Sequence, residues 1–525
     1  MRRPCTPPRP RWLIGALLLL LAACAGLPPR GQPEASTAVT DTQATALAAI
    51  ARASRPAGET APSGFRLLPT GEFAFGARIG LALRAERALD VQTYHLHRDE
   101  AGRAFLRELR DAAQRGVRVR LLVDDYHAGE IHDLLADLAM YDHVQVRLFN
   151  PLPLTSGPPL LRLALSPGDF ERHNHRMHNK LFIADGVLAI FGGRNVADEY
   201  FMNHREANFI DMDVLSGGEV VGELSAVFDQ YWNSEAAWPV HDVLGRPGDA
   251  DAARRRFDAG VRDAAPVIAA YRHDPLGQTS VEEQLRAGRL ALSWAGAAVF
   301  ADPPSKATDP VPAVKPTQAM AGMLSVLADA RHEVVIVSPY FVPGNVGMPM
   351  MRRAAEAGVR TVLFTNSLGS TDEPLVHDRY SAYRVEMLQL GVEIYEFNPS
   401  QTRRSRGFGV FGASTPRLHA KVAIVDRRRV LVGSVNLDAR SAIGNTEMSV
   451  LIDSPALADG LMRLMRGDGF SSMYRLGLQA DGRTIEWIGT DATGRHSAST
   501  TEPEGDSWLR LKLWLQSLVV DERLL

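Results

Sequence analysis

The sequence predicts an α/β protein built from two related halves that share one site. Three observations carry this. Strand, helix, strand patterning occurs twice, and a stretch running from His178 to Asn195 recurs from His419 to Asn436 with its polar residues in the same places. The composition, 45% hydrophobic and 23% charged over 525 residues, supplies cores for more than one domain-sized unit.

The chain opens with a basic stretch, MRRPCTPPRPRW, followed by the apolar run Leu13 to Ala23 and then Cys24. Eleven apolar residues are too few to span a bilayer, so residues 1–23 are expected to be a secretory signal peptide. The four residues Leu21 to Cys24 resemble the lipobox of bacterial lipoproteins, which implies cleavage before Cys24 and lipidation there. Ala25 follows, and by the same resemblance it places the body on the periplasmic side, with the outer membrane favoured over the inner. The other cysteine, Cys5, falls within the signal, so the mature chain has no internal disulfide and is stabilised by packing. Losing Arg2, Arg3, Arg9 and Arg11 leaves 54 basic against 61 acidic residues. An acidic balance argues against a general nucleic-acid binder, and no nucleic-acid partner is expected.

Residues 24–63, rich in Ala, Thr, Pro and Gly and free of aromatics up to Ser63, predict a flexible tether. The first half is expected over 64–245. In it ALDVQTYHL reads as a strand, AGRAFLRELRDAAQRG as an amphipathic helix closed by Gly116, and VRVRLLVDD as a buried strand. Residues 246–316 form a Pro- and Ala-rich connection without an assigned role. The second half, 317–525, repeats the pattern in HEVVIVSPYF, MPMMRRAAEAG and VRTVLFTNS. Its C-terminal stretch SWLRLKLWLQSLVV predicts a helix docked on the second half.

Each of His178, Lys180, Asp185, Gly192 and Asn195 has its counterpart 241 residues later in His419, Lys421, Asp426, Gly433 and Asn436. Eleven residues beyond each Asn stands a glutamate, Glu206 and Glu447. Residues two apart on a strand share a face, so each His and Lys would project together. Two imidazoles, two ammonium groups and two amides around one space suit phosphoryl chemistry. Lysines and amides stabilise the developing charge, one imidazole attacks phosphorus, and the other protonates the leaving alcohol. Asp185 and Asp426 lie at hairpin turns and read as structural.

The doubled pattern H-x-K-x4-D-x6-G-(G/S)-x-N is similar to the paired motif of the phospholipase D superfamily. The surrounding text, including VSPYFVPG, TNSLGSTDEPLVHDRY and LVGSVNLDARSAIGNTEM, resembles more narrowly the bacterial C-type cardiolipin synthases. That resemblance implies two phospholipase D-like halves, each a mixed sheet flanked by helices, related by a pseudo-twofold axis with one shared active site. It implies a phosphatidyltransferase making cardiolipin from phosphatidylglycerol, with or without phosphatidylethanolamine, through a phosphohistidine on His178 with His419 as general acid and base. Lys180, Lys421, Asn195, Asn436 and Ser434 would bind the phosphate. Glu206 and Glu447 would orient the imidazoles. No cofactor or metal is implied. Gly193 departs from the pattern, standing where the second copy has Ser434.

Other readings remain at this stage. With water as acceptor the same residues make a phospholipase D, with a DNA diester a nuclease, and a non-catalytic lipid-binding lipoprotein would need neither motif. His173, His175 and His178 in HNHRMH have spacing that can ligate zinc, and YHLH at Tyr94 to His97 invites the same thought, but the second copy has no such histidines. His377 reads equally as a structural histidine or a headgroup contact. The run Phe149 to Leu165 reads as packing under the fold, with a lipid-facing rim as the alternative.

Overall fold

The computed structural model describes residues 27–503, apart from 158–161, 163–171, 173, 266, 309–316, 400–412, 467–472 and 491–494. Cys24, His173, residues 158–161 and 163–165 of the Phe149–Leu165 run, and the C-terminal helix candidate therefore lie outside the described residues.

The expected flexible tether is instead folded against the body from its first described residues. Arg30 donates to the carbonyls of Ser234 and Ala237, and the Ser36 and Ala38 amides donate to Asn233 and Asp229. Helix α1 (Ala46–Ala53), capped by the Thr45 hydroxyl, buries Leu47 and Ile50 in the core of the first half. The composition misled because two large apolar residues three apart, set among alanines, suffice for a short helix that lies on an existing surface.

The first half then runs β1 (Ser63–Leu68), α2 (Gly71–Arg84), β2 (Ala88–Thr93), α3 (Glu100–Gln114), β3 (Arg118–Asp124) and β4 (Val144–Phe149). It continues through the hairpin β5 (Leu181–Ala184) and β6 (Leu188–Gly192), then β7 (Ala207–Ile210), β8 (Asp213–Gly218), α4 (Glu219–Trp232) and β9 (Ala237–Pro239). Strands β2, β3 and β4 are parallel, as strand–helix–strand units require. Helix α3 starts where the Asp99 carboxylate accepts from Gly102 and stops before Gly116, whose φ of 93° ends the last turn in the left-handed region.

The connecting segment is structured. Helices α5 (Ala250–Val261) and α6 (Val281–Arg286) bury Phe257, Val261, Val281 and Leu285 in the first core. Next comes β10 (Ser293–Ala301), which pairs antiparallel with β1 on one side and with a strand of the second half on the other. It is the second half's opening strand, so that half begins near Ser293 rather than residue 317. An alternating run of small residues, SWAGAAVFA, lacked the bulk that marks a strand in sequence.

The second half comprises α7 (Gln318–Ala328), β11 (Glu333–Val337), α8 (Gly344–Glu356), β12 (Arg360–Asn366), β13 (Glu393–Phe397) and β14 (Thr415–Leu418). After these come the hairpin β15 (Val422–Val425) and β16 (Arg429–Gly433), then β17 (Met448–Asp453), β18 (Met473–Leu478), β19 (Ile485–Thr490) and β20 (His496–Ser499). Strands β11, β12 and β13 repeat the parallel core. The β1–β10 pairing fuses both halves into one 18-stranded sheet. Side chains from both halves, among them Phe65, Phe191, Trp232, Val432 and Ile452, form one core between them. Burying that apolar surface holds the halves together.

Candidate active site

Both motif hairpins are fixed by the same device. Asp185 and Asp426 each turn the chain at φ 52°, where a short polar side chain tolerates the left-handed region. The Asp185 carboxylate accepts from the amides of Glu86, Arg87 and Ala88 at 2.7–3.1 Å, and Asp426 from those of Arg331, His332 and Glu333 at 2.7–3.2 Å. Each hairpin tip is thus tied to the entry of the first parallel strand of its half.

The opposite ends of the hairpins meet across the pseudo-twofold. The His178 amide donates to the Thr446 carbonyl at 2.9 Å and the His419 amide to the Ile210 carbonyl at 2.8 Å. Strands β7 and β14, one from each half, pair in parallel and end at this junction. The next residue after each accepting carbonyl is a carboxylate, Glu447 or Asp211, and each reaches the other half's imidazole. His178 Nδ1 lies 2.9 Å from Glu447 Oε2, and His419 Nδ1 lies 2.7 Å from Asp211 Oδ2. All four side chains are buried.

Glu206 does not take the orienting place expected of it. It is exposed, and its contribution here is a backbone carbonyl that accepts from Thr415 at the start of β14. Asp211 occupies the position instead. The strand register explains the slip: Gly433 pairs with Ser449, two residues after Glu447, whereas Gly192 pairs with Asp213, two residues after Asp211. The first half carries five more residues between motif and carboxylate, so the constant displacement of 241 fails there.

Lys180 Nζ donates to the His178 carbonyl at 2.7 Å and lies 5.2 Å from the Tyr94 ring. Lys421 Nζ donates to the His419 carbonyl at 2.5 Å and sits 2.9 and 3.1 Å from that imidazole's nitrogens. Asn195 is engaged at both ends, its Oδ1 accepting from the His95 amide and its Nδ2 donating to Tyr200. Asn436 Oδ1 is buried and has no hydrogen-bond partner among the described residues. Tyr94, directly after β2, and Tyr340, three residues after β11, wall the two imidazoles at ring separations of 5.1 and 6.4 Å.

Ser434, expected near the phosphate, donates instead to Glu447 at 2.5 Å, and Ser441 donates to the same carboxylate at 2.7 Å. A Cβ on Gly193 would stand 2.1 Å from Asp211 Oδ1, so no side chain fits there. The departure at Gly193 thus makes room for the carboxylate that serves His419.

The electrostatics follow from this enclosure. Burial pushes His178 down to about 4, against the opposing pull of Glu447. Burial and then Lys421 lower His419, with Asp211 opposing. Burial would raise the Asp211 carboxyl, but His419 and Lys421 bring it below the usual range, and His178 does the same for Glu447. Burial lowers Lys421 to about 8 and carries Lys180 well below its ordinary value. Burial thus favours the neutral form of both imidazoles while each Nδ1 faces an ionised carboxylate, and Lys421 Nζ lies 3.1 Å from Nε2 of His419.

The remaining histidines take other places. His377 Nε2 lies 2.8 Å from Glu502 Oε1 and from the Arg384 guanidinium, inside a buried ion-pair network. His175 Nδ1 lies 3.3 Å from the Lys306 carbonyl. Among the described residues no group of three or more His, Cys, Asp or Glu side chains is arranged to hold a metal ion.

This geometry meets the comparisons with known proteins on the same residues. The family model described as "Cardiolipin synthase, PLD-like domain" matches residues 80–232 and 323–468, one match per half. The chain belongs to this phospholipase D-like family. It is 34% identical over 454 residues to Cardiolipin synthase C of Escherichia coli, covering 86% of this chain and 94% of that protein. It is 25% identical over 405 residues to a cardiolipin synthase of Geobacillus kaustophilus, covering 76% of this chain and 64% of that one. Among solved structures, phosphatidylserine synthase of Haemophilus influenzae superposes with a TM-score of 0.55 at 14% identity, covering 97% of this chain and all of that one. That likeness establishes a shared fold. No helix among the described residues is long and apolar enough to cross a membrane.

Proposed function

We propose that this protein is a phosphatidyltransferase that makes cardiolipin from phosphatidylglycerol, with phosphatidylethanolamine as a possible second lipid, by double displacement. The observation that carries the reading is the crossed pairing of His178 with Glu447 and His419 with Asp211. It sets two buried imidazoles in one site, each with its Nδ1 held by a carboxylate of the other half and its Nε2 turned away from that carboxylate.

His178 is the nucleophile. Ser434 and Ser441 both donate to Glu447 and spread its charge, so it stabilises an imidazolium less and leaves His178 neutral for attack. Asp211 accepts from the Met212 amide and from His419 alone among side chains, so more of its charge is available to hold a proton on His419. Nε2 of His178 bonds to the donor phosphorus, the bond to the headgroup oxygen breaks, and protonated His419 gives its proton to that oxygen. His419 then takes the proton of the acceptor lipid's hydroxyl as the oxygen attacks phosphorus, and the phosphorus–nitrogen bond breaks to restore His178. Lys180, Lys421 and Asn436 stabilise the equatorial oxygens, and Asn195 holds the His95 loop against Tyr200. A lipid on Cys24 would keep the body at the periplasmic face of a membrane.

The test is a metal-chelated vesicle assay. Protein beginning at Cys24 is incubated with phosphatidylglycerol vesicles in EDTA, with and without phosphatidylethanolamine, beside His178→Ala. Cardiolipin formed by the wild type and lost in the variant supports the reading. Phosphatidic acid as the sole product would make the enzyme a phospholipase D.

A further inference from the structure

The two halves differ in one place that the catalytic chemistry does not explain. In the first, α2 and α3 pack directly on each other over the sheet and bury Phe75, Leu81, Phe105 and Leu109 in a closed core. In the second, the helices in the same topological positions, α7 and α8, stand apart. Between them lies a cavity of about 750 Å³, within the range of small-molecule sites. Its walls are apolar and rich in adaptable side chains, with Met320, Leu324, Met350, Met351, Phe341 and Ile443 prominent. Val346, one of the exposed large hydrophobic residues among those described, is also on its rim.

Two arginines line the same cavity, Arg331 before β11 and Arg353 in the last turns of α8. Both are exposed, and neither guanidinium has an ion pair among the described residues. A methionine-rich slot bordered by two unneutralised cations suits an amphiphile with an anionic head. The slot follows α8, whose 13 residues extend about 20 Å at 1.5 Å per residue. One leaflet of a bilayer's hydrocarbon core is about 15 Å deep, so the slot accommodates one acyl chain along its length.

We propose that this cavity binds an anionic phospholipid of the membrane, one acyl chain between α7 and α8 and its phosphate on Arg331 and Arg353. The site is separate from the catalytic centre, since none of the motif His, Lys or Asn residues lines it. It adjoins that centre through one segment. Leu437, Asp438, Ala439, Ala442 and Ile443 face the cavity, while Ser441 of the same turn donates to Glu447. The lipid held there would set how the body sits on the bilayer and stiffen the turn that supports His178.

The experiment uses the full mature chain and phosphatidylcholine vesicles containing a phosphatidylglycerol with a photoreactive diazirine on one acyl chain. After irradiation, labelled peptides are mapped by mass spectrometry, and cardiolipin formation is measured in the same samples. Labels are expected within residues 318–357 and 437–443. Labelling there should fall at least fivefold in Ala354→Trp, which fills the slot, and at least threefold in Arg331→Gln/Arg353→Gln or when the diazirine is carried on phosphatidylcholine. The double variant alters exposed side chains only and decides the matter if Ala354→Trp does not fold. An unlabelled slot, or equal labelling of the slot by the neutral and anionic probes, would overturn the proposal. Labelling of the slot without cardiolipin production would leave this site standing and remove the transferase reading; turnover with an unlabelled slot would do the reverse.

Discussion

The pair of substitutions Asp211→Asn and Glu206→Gln separates the observed site from a site built on equal spacing. Asp211 is buried, ionised and 2.7 Å from His419 Nδ1, with Lys421 against the same ring. An amide of the same shape removes the charge that opposes Lys421, so protonation of His419, needed to release the headgroup, becomes harder. General acid–base catalysis by a positioned side chain contributes about 10²–10⁴-fold, or roughly 3–5 kcal/mol. At about 1.4 kcal/mol per tenfold in rate, kcat should fall by roughly two to three and a half orders of magnitude. Glu206 is exposed and its side chain touches neither imidazole, so Glu206→Gln should stay within about twofold of wild type. The assay is the initial rate of cardiolipin formation on phosphatidylglycerol vesicles, with circular dichroism to verify folding. An Asp211→Asn enzyme within threefold of wild type, or a Glu206→Gln enzyme as impaired as Asp211→Asn, would refute the crossed-pair account.

Gly193→Ser would restore the hydroxyl found at Ser434, yet its Cβ would lie 2.1 Å from Asp211 Oδ1, so we expect loss of activity together with roughly 1–3 kcal/mol of stability by urea titration. Ser434→Ala removes a donor from Glu447 and makes that carboxylate a better partner for a charged imidazole; the acid limb of the pH–rate profile should move to higher pH, and an unmoved limb would dissociate Ser434 from His178. His178 is buried neutral with its folded value down at about 4, below the ordinary 6.5, so the unfolded chain binds the extra proton first. Its contribution is complete above pH 6.5 and is lost as pH falls towards 4. Wild type should therefore lose more stability across that window than His178→Gln, by a few kcal/mol at most, as read from denaturation midpoints.

Sequence and structure agree where a residue's role follows from local patterning. The βαβ units were legible because apolar periodicity, Asp99 before α3 and Gly116 after it act within a few residues. The motif aspartates were legible as turn residues for the same reason. What escaped was set by register between distant segments. Asp211 is found only by aligning β8 with β17 against their hairpins, since the two halves differ in length just before those strands. Ser434 was misread because a hydroxyl beside a motif Asn suits a phosphate or a carboxylate equally, and only the approach of Glu447 decides. The role of β10 depended on β1 and β17, hundreds of residues apart, presenting free edges on either side of it.

The crossed pairing also gives a physical reason for one chain with two copies in place of a dimer of identical halves. An isolated half would hold its His and Lys but would leave the imidazole without the carboxylate that fixes its tautomer, so neither half is a complete catalyst in itself. Two identical halves would repair that, but symmetry would then give both imidazoles the same partner and the same proton affinity. A double displacement needs them to differ, one neutral to attack and one able to carry a proton. In the fused chain the carboxylate serving His178 receives two serine hydroxyls, while the one serving His419 faces a glycine that admits no side chain at all. Exchanging those surroundings, with Ser434→Gly and Ser441→Ala in one variant, should bring the two histidines closer in proton affinity. Histidine NMR titration would show the two midpoints converging, and turnover would fall although every motif residue is still present; midpoints that stay where they were would locate the asymmetry elsewhere.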